Sequence, residues 1–180
     1  MNSFDTTAEF FHQHIEHISM TVDAVADMAD MVAPMVASAI MEERRVYSIG
    51  SNIDASVANT FAQLVRDGLA NDRPNLPIID LTATNSEPRD GATNWIARQI
   101  RSLGQRGDIA VIWGCQLSPI DIDALHSVLE QREMTSFWFG AQSPSHSLPF
   151  SGIPEDVRLG LCAMTATLVA RLIETTLFHH

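Results

Sequence analysis

Residues 44–69 allow this chain few folds. A β-prone run, Val46, Tyr47 and Ile49, meets Gly50; the polar residues Ser51, Asn52 and Asp54 follow, and apolar residues then recur at Val57, Phe61, Leu64, Val65 and Leu69. The spacing predicts a strand, a tight turn and a helix. In an open parallel sheet such a crossing is where ligands bind, because the strand's carboxyl end and the helix's free N–H groups face one crevice.

The downstream chain repeats the alternation. Leu76 to Leu81 is expected to be a strand buried on both faces, because it is almost wholly apolar, and Thr82 to Gly91 a polar loop. A helix carrying Trp95, Ile96, Ile100 and Leu103 ends at Gly104, and Ile109 to Trp113 forms the next strand. Ser118-Pro119 supplies a cap and a first-turn proline for the following helix, whose apolar face holds Ile122, Leu125, Val128 and Leu129. Thr135 to Phe139 is another strand. Gly140 to Pro154 is rich in Ser, Pro and Gly and is expected to be loop, with room for a short extended piece at Leu148 to Phe150. A last helix starts near Pro154 and runs through Leu161, Met164, Leu168, Leu172 and Ile173. Alternating strands and helices predict a parallel sheet covered on both faces, an α/β fold.

Ahead of this lies a helical stripe, Phe11, Ile15, Ile18, Val22, Val25, Ala29, Val32 and Val36, with a break or kink expected just before Pro34 and a second helix ending near Glu43. Such a stripe is buried either in the chain's own core or against another subunit.

With 180 residues, 46% of them apolar, the chain can bury a full core as one domain. A net charge of −11 leaves no broad basic face, so direct nucleic-acid binding is not expected. Cys115 and Cys162 lack CxxC spacing, which argues against a zinc ribbon or a disulfide scaffold. The polar, acidic start is unlike a signal peptide, no apolar run reads as membrane-spanning, and the expected compartment is the cytoplasm. His14 and His17 share a face with no third ligand to make a metal site.

Four collinear stretches resemble the sugar isomerase (SIS) family, in the subgroup that holds phosphoheptose isomerase and the DnaA initiator-associating protein. They are Ile49-Gly50-Ser51-Asn52 with Ala55 and Phe61, then residues 73–77, 99–108 and 172–178. The resemblance implies a three-layer open parallel sheet flanked by helices, flavodoxin-like in topology, with an N-terminal helical pair. Residues 1–43 would be the oligomerisation element and 44–180 the α/β body, treated together as one domain. It implies a homo-oligomer, a tetramer, and the replication initiator DnaA as partner.

The family's isomerases cradle a sugar phosphate with Gly-Asn-Gly-Gly-Ser-Ala at the first turn and Ser-Thr-Ser-Gly-Asn-Ser after a later strand. Here Asp54 stands at the serine of the first, where a carboxylate would cap the helix and repel phosphate. The second corresponds to Gly114-Cys115-Gln116-Leu117-Ser118-Pro119, in which Ser118 reads as a helix cap. The isomerases' His and Glu fall at Thr60 and Leu64, and their Gln and His at Leu159 and Cys162. None of these is an evident base near neutral pH.

No catalytic residue, cofactor or metal is therefore expected. What remains is a vestigial pocket of Gly50, Ser51, Asn52, Asp54, Thr84, Asn85 and Ser118. Leu177 and Phe178 are candidates for partner binding, an anchor if exposed and a last turn of core if packed. The expected function is a non-catalytic oligomeric scaffold that promotes assembly of the initiator. The alternative is a divergent phosphoheptose isomerase or a sugar-phosphate-binding protein.

Overall fold

The computed structural model describes residues 3–69, 73–83 and 91–178. Five strands, β1 (Val46–Ser51), β2 (Ile79–Ala83), β3 (Ile109–Trp113), β4 (Thr135–Phe139) and β5 (His146–Leu148), form one sheet in the order β2-β1-β3-β4-β5. Every pairing is parallel. Five helices complete the described residues: α1 (Ser3–Met41), α2 (Asp54–Asp67), α3 (Ala92–Leu103), α4 (Pro119–Gln131) and α5 (Glu155–Phe178).

Alternation along the central strands assigns side chains to two cores. On β3, Ile109, Val111 and Trp113 join the core beneath α1, α2 and α5, whereas Ala110 and Ile112 face the core beneath α3 and α4. Phe137 and Phe139 on β4 take the first side and Trp138 the second. The expectation of a parallel sheet covered by helices on both faces holds.

Four local expectations change. α1 runs unbroken through Pro34, so the N-terminal pair is one helix; the missing N–H and the ring's crowding of the preceding turn are absorbed where Val32, Ala33 and Val36 are buried in the core. β2 starts at Ile79 and extends to Ala83, into the stretch expected to be loop. It is an edge strand only partly covered, because it has a neighbouring strand, β1, on one side only. The extended piece expected at Leu148 to Phe150 lies earlier, at His146–Leu148, where Gly140 N–H donates to Leu148 O at 2.8 Å.

A fifth correction concerns apolar length. α1 and α5 each contain a window long and apolar enough to cross a membrane, with mean hydropathy 1.5 and 1.4. In α5 the stripe Val157, Leu161, Val169 and Ile173 is buried in the core shared with α1 and α2.

Two of the stretches carrying the resemblance meet in space. Arg73 donates to the carbonyls of Val65 at 2.8 Å and Arg66 at 3.3 Å, closing the end of α2, and forms an ion pair with Glu174 at 3.5 Å. Glu174 also accepts from Leu69 N–H at 3.1 Å. A buried carboxylate thus ties the α2–β2 connection to α5.

Candidate functional site

The strand order reverses between β1 and β3, and the loops leaving them open onto one crevice, as parallel-sheet topology requires. α2 packs so tightly there that Gly50 has no room for a side chain: a Cβ would lie 2.5 Å from the Asp54 carbonyl oxygen and 2.8 Å from Ala58 Cβ. The Ser48 hydroxyl strengthens the contact by donating to Ala58 O at 2.7 Å. Gly50 is therefore a residue that the close packing of α2 on β1 requires.

Asp54 does not cap its helix. Ile53 occupies the cap position without a side-chain hydrogen bond, and Asp54, the first helical residue, is completely buried. Its Oδ2 accepts from Gln116 N–H at 3.0 Å, a bond spanning 62 residues. The physical reason is direction: the side chain points inward toward the loop after β3, where an unpaired N–H waits. Burial pushes the Asp54 carboxyl above its ordinary value, opposed by the Gln116 and Cys115 backbone N–H groups, the Cys115 thiol and, at longer range, the Arg158 guanidinium. Oδ1 lies buried without reaching hydrogen-bond geometry to any of the described residues.

The loop after β3 is held from a second side. The Gln116 side-chain amide contacts Glu155 Oε1 at the start of α5, and Cys115 Sγ lies 3.1 Å from Cys162 Sγ. Leu117 folds back over Gly114, where a Cβ would meet its Cδ1 at 2.7 Å. Ser118 caps α4 as expected, accepting from Asp121 N–H at 3.2 Å and donating to Asp121 Oδ2 at 2.6 Å.

Two hollows remain beside this loop. A cavity of about 440 Å³ is lined by Ile53, Cys115, Gln116, Glu155, Asp156 and Leu159. A polar cleft of about 140 Å³ lies on the other side, where Ser51 and Asn52 face Thr93, Asn94 and Asp121. Asn52 takes a left-handed conformation, φ 55°, as its N–H donates to Ala83 O at 2.8 Å. Thr84 and Asn85, also expected here, lie outside the described residues.

Of the expected pocket residues, the structure brings Ser51 and Asn52 to the cleft, turns Asp54 inward, and commits Gly50 and Ser118 to packing and capping. The positions read against the isomerase pattern carry no base into the cavity. Thr60 is exposed and donates to Ser56 O at 2.8 Å, Leu64 packs against the core, and Leu159 lines the wall. Neither hollow is lined by a histidine among the described residues, and the chain has no lysine. Fully enclosed, Asp54 is out of reach of a substrate in either hollow.

Sequence reasoning missed the roles of Gln116 and Glu155, and the meeting of the two cysteines. Their partners lie 39 and 47 residues apart, with no spacing signal to link them.

No protein-family model matches the chain. Among curated proteins, it is 26% identical to a phosphoheptose isomerase of Alkalilimnicola ehrlichii, over 74% of this chain and 71% of that one. It is 23% identical to a DnaA initiator-associating protein of Photorhabdus laumondii, over 94% of both chains. A solved phosphoheptose isomerase from Francisella tularensis superposes with a TM-score of 0.80, covering 97% of this chain and 100% of that one at 17% identity. The chain is a divergent relative of these SIS proteins. The fold seen here is that of the solved phosphoheptose isomerases, and the sequence relatives include both isomerases and initiator-associating proteins. The Gly114 to Ser118 loop is the stretch read against the SIS isomerases' second phosphate loop, and here one of its N–H groups is taken by the chain's own carboxylate.

The expected partner-binding pair divides. Leu177 packs against the core, whereas Phe178 is 41% exposed with the Arg73 guanidinium 5.4 Å from its ring centroid.

Proposed function

We propose that this protein is a non-catalytic SIS-fold scaffold that self-associates, as a tetramer, and promotes assembly of the replication initiator DnaA. The observation that carries the loss of catalysis is Asp54. Its carboxylate occupies the Gln116 N–H of the loop read against the family's phosphate cradle, and a sugar phosphate would have to displace a buried anion while meeting Glu155 and Asp156 at the cavity wall.

Self-association is supported by α1. A helix of 39 residues is about 58 Å long at 1.5 Å per residue, far more than a strand of five residues spans, about 17 Å. Its buried residues begin only at Met28, and Phe4, Phe11, Ile15, Met20 and Val22 are exposed. Beside them, Val22, Val25, Met164 and Leu168 border an apolar groove of about 330 Å³ between α1 and α5. A second copy covering this face would remove the apolar surface from water. An oligomer then presents several initiator sites together, so each bound partner raises the effective concentration for the next. The full-length correspondence to the initiator-associating protein favours this partner.

The deciding experiment is sedimentation of the purified protein at micromolar concentration, followed by pull-down of DnaA. A tetramer that binds DnaA, and becomes monomeric and non-binding in Val22→Glu/Leu168→Glu with helical content kept, is the expected result. A wild-type monomer would defeat the scaffold.

The alternative is a sugar-phosphate binder or divergent phosphoheptose isomerase, favoured by the polar cleft at Ser51 and Asn52. Titration calorimetry with sedoheptulose 7-phosphate separates the two: saturable heat supports the alternative, and none supports the scaffold.

A further inference from the structure

Cys115 leaves β3 and Cys162 sits in the middle of α5, 47 residues further on, yet their sulfurs approach to 3.1 Å as free thiols. Gly140 makes room for this. Its φ is +83°, and a Cβ there would stand 2.5 Å from Cys115 Sγ, so the thiol fills space that any larger residue would claim. A disulfide needs the sulfurs at about 2.05 Å, about 1 Å closer than they stand.

The two thiols are not equivalent. Cys162 is fully buried, whereas Cys115 is 7% exposed and borders the 440 Å³ cavity. A small molecule entering the cavity meets Cys115 first. The contact with Cys115 and burial together push the Cys162 thiol well above its ordinary range, so it keeps its proton at rest. Beside Cys115 stands the Asp54 carboxylate, itself raised by burial and therefore a better proton acceptor than an exposed aspartate.

We propose that Cys115 and Cys162 are a redox pair, in which a small hydroperoxide in the cavity oxidises Cys115 and Cys162 resolves it to an intrachain disulfide. In the first step Cys115 sulfur attacks the peroxide O–O bond; sulfur is oxidised to a sulfenic acid, and the leaving oxygen departs as water or alcohol with the thiol proton. In the second, Cys162 sulfur attacks the sulfenic sulfur, the S–O bond breaks, and hydroxide leaves as water with the Cys162 proton. Two thiols lose two electrons and two protons to one peroxide. The bond ties the loop after β3 to α5, across the same gap that Gln116 and Glu155 bridge. Oxidation therefore fixes the loop after β3 to α5 by a covalent bond.

The test treats the folded full-length protein with a small excess of hydrogen peroxide, then denatures it with a maleimide under non-reducing conditions. The chain has two cysteines, so the expected result is loss of both alkylation sites, a mass lower by two hydrogens, and a Cys115–Cys162 linked peptide from a single chain. Dithiothreitol restores both sites. Cys162→Ala is expected to accumulate oxygen adducts on Cys115, and Cys115→Ala to leave Cys162 alkylatable. Wild-type protein that keeps both thiols, cross-links only between chains, or gains oxygen on Cys115 while Cys162 stays free would overturn the proposal. That readout needs no variant to fold.

Discussion

The two ends of the sheet each bury an aspartate, and they treat it differently. At the amino end Asp108 accepts from Arg45 N–H at 3.0 Å through one oxygen and from Gln105 N–H at 2.9 Å through the other. At the carboxyl end Asp54 is as deeply buried, but only one oxygen is answered, by Gln116 N–H. A carboxylate with both oxygens bonded recovers much of its lost hydration; one half-answered does not. The amino end is built for stability. The carboxyl end, where ligands bind in parallel sheets, keeps an unbalanced charge beside a thiol pair.

The largest effect expected on this contrast comes from Asp108→Ala. It strands two backbone N–H groups next to the buried ends of β1 and β3, and a loss of about 4 kcal/mol in urea unfolding is expected. A loss under about 1 kcal/mol would erase the difference between the ends.

Asp54→Ala removes one such bond but also a buried charge, so the two effects oppose and a loss of about 1 kcal/mol is expected. Its pH dependence sharpens the point. The folded carboxyl titrates above its ordinary value of 3.8 because of burial, so between those two values the folded state binds the proton more tightly than the unfolded chain. Asp54 therefore costs stability at neutral pH, and the cost disappears as pH falls through the folded pKa. Asp54→Asn, which keeps an acceptor for Gln116 N–H, is expected to gain on wild type as pH rises from about 4 to about 7. Thermal melts across that range read the crossover, and parallel curves would contradict the raised pKa.

The smallest effect is expected from Gln116→Ala. The backbone N–H that Asp54 holds is untouched, and only the exposed amide contact with Glu155 is lost, so stability should change by at most about 0.5 kcal/mol. A larger loss would mean that the side chain, not the backbone, fastens this loop.

Local chemistry made the sheet legible. The apolar run Ile109 to Trp113, the strand Thr135 to Phe139, Ser118-Pro119 ahead of α4 and Gly104 at the end of α3 are short-range signals, and each is found where expected. Pro34 misled, because its effect on a helix is set by what packs around the turn it weakens. The bounds of β2 misled as well: an apolar run does not say whether a strand is central or at an edge. Asp54 was read as a cap because cap preference is local, while its bond partner lies on another strand's loop.

The sequence by itself determined an α/β alternation and a strand, tight turn and helix across residues 44–69. Those features rest on residue type and on spacings within one element. Only the tertiary structure decided that Asp54 faces Gln116, that Leu177 packs while Phe178 stays half open beneath Arg73, and that two cysteines touch. Such contacts join parts of the chain that approach only when strands pair in the order β2-β1-β3-β4-β5, and nothing periodic along the chain encodes that approach.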